Sequence, residues 1–70
     1  MEWLEELAAT LGVPPLTDAE AEAILAVSRE VAHGVERKAT PLTLYLVGRA
    51  VQAREEATLT EVLGQVRAAV

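Results

Sequence analysis

The stretch VAHGVERKATPLTLYLVG, from Val31 to Gly48, gathers the residues of this sequence best suited to binding chemistry. It holds the sole histidine, an adjacent cationic pair and two threonines. His33, Arg37 and Lys38 offer positive donors, while Thr40 and Thr43 offer hydroxyls. Thr40-Pro41 reads as a helix start, because threonine is a good N-cap and proline at the first helical position lacks only an N–H that would be unpaired anyway. A helix start presents free amides and positive potential, so these five residues form a candidate site for a phosphate, a carboxylate or an acidic patch on a partner. The same residues also have a purely structural reading. In it, His33 and Gly34 finish one helix with Glu30 as the histidine's partner, Glu36-Arg37-Lys38 form a solvated loop, and Thr40-Pro41 open the next helix. Neither G-x-x-x-x-G-K-[ST] nor G-x-G-x-x-G occurs, so the chain carries no glycine-rich phosphate cradle.

Other chemistry-bearing residues assemble less well. Glu5-Glu6 and Glu55-Glu56 are neighbours in sequence and point in different directions on a helix, whereas acid–base pairs must converge on one cleft. Ser28 falls on a stripe expected to be buried, with no histidine placed beside it by helix geometry, and reads as a small core residue rather than a nucleophile. Tyr45 with Arg49 one turn on suits a cation–π contact within a binding strip, or packing at the edge of the core. There is no cysteine and only one histidine, so no metal site and no cofactor are expected.

Four helices must position these residues, at about 2–11, 18–33, 41–54 and 59–69. Leu4, Leu7, Ala8 and Leu11 share one stripe of the first, with Trp3 at its flank; Gly12 and then Pro14-Pro15 end it. Thr17-Asp18-Ala19-Glu20 fits a capping box at the start of the second, whose expected buried face is Ala21, Ile24, Leu25, Ser28, Val31, Ala32 and Val35. Gly34 is expected to terminate that helix, with Val35 folding back on its last turn. In the third helix Leu42, Leu44, Leu46, Val47, Ala50, Val51 and Ala53 cover more than half the circumference, the pattern of a central helix or of one with a second partner. Gly48 inside it implies close approach of another helix. Thr58-Leu59-Thr60-Glu61 repeats the capping-box pattern, followed by the stripe Leu59, Val62, Leu63, Val66 and Val70. The expected fold is all-α, a compact bundle of four short helices in a single domain, 1–70.

Seventy residues bury only about 60% of the surface of the unfolded chain. With two aromatic residues, the core must be aliphatic. Too little chain is present to enclose the third helix on every side, so Leu44, Tyr45, Val47, Gly48 and Val51 are candidate interface residues. Formal charge is −5, split as seven acids against Arg29 alone over residues 1–35 and a net +1 over residues 36–70. That balance lacks the basic footprint of a nucleic-acid binder. The longest apolar run is far too short to span a bilayer, and no cleavable apolar leader is read at the start, so the expectation is no membrane association and a cytoplasmic location.

The segment REVAHGVERKATPLTLYLVG, Arg29 to Gly48, resembles the signature of a small bacterial helical domain of unknown function whose members read like AHGV.R..APLT.FLVG. His33, Gly34, Pro41, Leu42, Thr43 and Gly48 are the matching positions, Tyr45 stands where the family has phenylalanine, and the opening WL..LA..LG matches loosely. That domain occurs alone or attached to molybdenum-cofactor guanylyltransferases, which join GMP to molybdopterin. The resemblance implies a role beside such an enzyme. It does not imply the transferase activity, because the chain lacks that enzyme's glycine-rich nucleotide loop. The expected function is therefore a non-enzymatic accessory or interaction module that self-associates as a homo-oligomer, such as a dimer, or docks on a partner enzyme through helix three. The alternative is a small anion or nucleotide-fragment binder using His33, Arg37, Lys38, Thr40 and Thr43.

Overall fold

The computed structural model describes residues 1–54 and 58–70; the Glu55-Glu56 pair lies outside the described residues. The fold is all-α: α1 (Glu2–Leu11), α2 (Asp18–Gly34), α3 (Ala39–Ala53) and α4 (Leu59–Ala69). Local signals set several of the boundaries. At α2 the Thr17 hydroxyl accepts from the Glu20 amide at 3.1 Å, and the Glu20 carboxylate accepts from the Thr17 amide at 2.8 Å, the complete capping box. At α4 the Thr58 hydroxyl accepts from the Glu61 amide at 3.2 Å. At the end of α1, Gly12 adopts φ 72° and ψ 31°. The Val13 amide donates to the Ala8 carbonyl at 3.0 Å and the Gly12 amide to that of Ala9 at 3.2 Å, the paired bonds of a Schellman ending.

Three boundaries differ from expectation, the least being the end of α3, at Ala53 with Arg54 as its cap rather than at 54. Gly34 does not terminate α2 in the left-handed region, where Gly12 stands alone among the described residues. It remains helical, and the helix ends at Val35 (φ −118°, ψ −87°), whose amide donates to the Val31 carbonyl. Its one close tertiary neighbour is Val70, just past the end of α4: a Cβ on Gly34 would meet Cγ1 of that half-exposed side chain, which would have to turn aside. At α3, Thr40 is not the N-cap. Lys38 occupies that position in helical conformation and the helix starts at Ala39, leaving Pro41 third in the helix, still within the turn whose amides have no intrahelical partner.

The core is where α2, α3 and α4 meet. Val27, Val31, Val47, Val62 and Leu63 are buried together, and Ala23, Ile24, Ala39, Ala50, Val51, Leu59 and Val66 pack around them. The buried stripe of α2 is Ala23–Val27–Val31, flanked by Ile24. Leu25 and Val35, expected inside, are exposed. α2 must face α3 and α4 together, and that places its inner side on the small residues 23, 27 and 31. α1 stands apart from the three close-packed helix pairs, α2–α3, α2–α4 and α3–α4. It contributes only Ala8 as a buried residue, while Trp3 and Leu11 are exposed. The Cα radius of gyration, 12.4 Å, exceeds the ~11 Å of a close-packed chain of this length, consistent with one helix lying outside the core.

Candidate interaction surface

α3 has two unlike sides. Inward lie Ala39, Val47, Ala50 and Val51, all in or against the core. Outward, Leu42, Tyr45 and Leu46 are 68%, 67% and 59% exposed. Their spacing, with Lys38 one turn before Leu42 and Arg49 one turn after Tyr45, sets all five residues on one face of the helix. The Arg49 guanidinium carbon sits 5.2 Å from the centroid of the Tyr45 ring, within cation–π range. Beside this face a shallow concavity is lined by Leu44, Tyr45, Gly48, Arg49 and Gln52. Nothing lies within 4 Å of a Cβ built on Gly48, so no neighbouring helix explains that glycine; it opens onto the concavity.

Of the expected interface residues, then, Tyr45 and Gly48 are exposed, Leu44 is half-buried, and Val47 and Val51 belong to the molecule's own core. Sequence reasoning did not single out Leu42, Leu46 and Lys38 for the outer face. The i, i+4, i+8 spacing of Lys38, Leu42 and Leu46 was the available signal.

The residues of the expected anion site are distributed differently. His33, Arg37 and Lys38 are exposed at the end of α2 and in the connection, whereas Thr40 and Thr43 are half-buried. The Thr40 hydroxyl makes a long contact, 3.4 Å, to the Ser28 carbonyl of α2. The Ala39 amide donates to the Glu36 carbonyl at 3.1 Å and the Thr40 amide to the Arg37 carbonyl at 3.2 Å. Pro41 has no amide. The first three positions of α3 thus offer an anion no backbone donor, and of the five expected residues His33, Arg37 and Lys38 face solvent, with the Glu36 carboxylate exposed among them. Glu30 does not serve His33; its carboxylate accepts from Nε of Arg67 at 2.8 Å and ties α2 to α4. Ser28 donates to the Ile24 carbonyl at 2.7 Å, the back-bonding of a helical serine, so its hydroxyl is occupied. Among the described residues no group of three His, Cys, Asp or Glu side chains could hold a metal, and no helix is long and apolar enough to cross a membrane.

Fold and surface together define a small all-α domain with a three-helix aliphatic core and an exposed apolar–basic helix face. The chain belongs to the family described as a domain of unknown function, DUF6457, whose model matches residues 1–70. No curated protein and no solved structure matches the chain.

Proposed function

We propose that this chain is a non-enzymatic interaction module that docks through the outer face of α3. The observation that carries the reading is the contiguous exposure of Leu42, Tyr45 and Leu46 on one face. Single exposed apolar residues are ordinary on a soluble protein, but a grouped patch with a tyrosine and a stacked arginine has the composition of a binding hot spot. The resemblance of residues 29–48 to a domain attached to molybdenum-cofactor guanylyltransferases supplies the first partner enzyme to try, with the chain acting beside guanylylation in the cytoplasm.

The test is sedimentation velocity of the chain alone and mixed with a purified molybdenum-cofactor guanylyltransferase. Association is expected in at least one arm and is lost in a Leu42→Ser/Tyr45→Ser/Leu46→Ser variant. The variant's stability should change by no more than about 0.5 kcal/mol per site, as is usual for surface positions. A wild type that remains monomeric and unbound, or a variant that associates equally well, overturns the proposal.

A further inference from the structure

Resting on that reading, we infer that the outer face of α3 docks into the groove between α1 and α2 of a second copy of this chain. The groove is a cavity of about 240 Å³ whose apolar lining includes Leu4, Leu16, Ile24 and Leu25, with Glu5 and Asp18 among its walls. Leu16 and Leu25 are about half exposed, and nothing in the molecule itself covers them. It is open because α1 is not packed closely on α2.

The two surfaces match in polarity and in charge. From Arg37 to Arg54 the sequence holds four basic residues and no acid, and eight of the eleven acidic residues precede Arg37. The α3 face accordingly presents Leu42, Tyr45 and Leu46 between Lys38 and Arg49, whereas the groove presents aliphatic residues beside Glu5 and Asp18. Apolar burial supplies the attraction, and the opposed charges fix the register and disfavour pairing of α3 with α3, which would bring like charges together. Because the donor and acceptor surfaces are different patches, two copies either exchange both contacts about a two-fold axis, as an isologous dimer, or make one contact each and continue head to tail.

Sedimentation equilibrium of the full chain at high micromolar concentration tests this, with helical circular dichroism as the check on folding. Wild type is expected to associate at low salt and to weaken by about tenfold or more as the screening length falls from ~10 Å to ~3 Å. A groove variant, Glu5→Lys/Asp18→Asn, and a helix variant, Lys38→Glu/Arg49→Glu, are each expected to be monomeric. Mixed together they should form a one-to-one complex, because each retains the surface that the other has lost. A monomeric wild type, a groove variant that associates as wild type does, or a mixture that remains monomeric overturns the inference. In those cases docking of α3 on a guanylyltransferase is still read independently, from the mixed sedimentation arm and its serine variant.

Discussion

Single residues in this chain divide into those whose role is local and those whose role depends on a distant neighbour. Thr17 is local: its reciprocal bonds with Glu20 predict that Thr17→Ala costs about 1 kcal/mol in chemical denaturation. An unchanged midpoint would show that the cap is not used in solution. Such roles were legible beforehand, since a capping box and a Gly-x-Pro-Pro ending need no knowledge of packing. The glycines at 34 and 48 were not legible, because what surrounds them lies off their own helix. Gly34 lies against Val70, whereas Gly48 has nothing near it. Gly48→Ala should therefore stabilise the chain by about 1 kcal/mol through helix propensity, raising the melting temperature by about 4–8 °C. Gly34→Ala should give no such gain. Equal effects at both positions would contradict the contact with Val70.

At the scale of elements, the central fact is that three helices make the core and one attends it. Leu63 is buried at the meeting of α2, α3 and α4. Leu63→Ala is expected to remove about 3 kcal/mol, most of the roughly 3–5 kcal/mol that a core of this size supplies, and so to abolish cooperative thermal unfolding. The Glu30–Arg67 pair is half exposed, so Glu30→Ala should cost well under 1 kcal/mol despite the 2.8 Å contact. α1 should behave unlike the rest. Its amides are expected to exchange with solvent ahead of those of Val27 to Val31, and Trp3, 64% exposed, should emit close to the wavelength of tryptophan in water. Equal protection of α1 and α2, or a blue-shifted Trp3, would contradict its place outside the core. Helix number and period were readable from the sequence, but the rotation of each helix was not. Large apolar residues drew the expected face of α2 toward Leu25, whereas simultaneous packing on α3 and α4 selects Ala23, Val27 and Val31. The same missing rotation placed Val47 and Val51 in the expected interface and overlooked Leu42 and Leu46. The start of α3 was obscured for a related reason, since Lys38 enters it in helical conformation while the Ala39 and Thr40 amides fold back on the preceding turn.

Considered as a whole, the molecule is a charge-divided body with an acidic α1–α2 half and a basic, apolar α3 edge. A chain this short cannot cover all of its aliphatic surface: large apolar residues are left exposed along α1 and the α1–α2 connection, and three of them, Leu42, Tyr45 and Leu46, are grouped on the outer face of α3. Grouping is what separates an interaction surface from the ordinary apolar exposure of a small protein. The most direct measurement is an amide-resolved NMR titration, of the chain against itself by concentration and against the guanylyltransferase. The account predicts shift or broadening on Lys38, Leu42, Tyr45, Leu46 and Arg49 in either titration, joined in the self-titration by Glu5, Leu16, Asp18 and Leu25 of the groove, with His33 unmoved. Perturbation elsewhere with that face silent, or no perturbation in either titration, would contradict it.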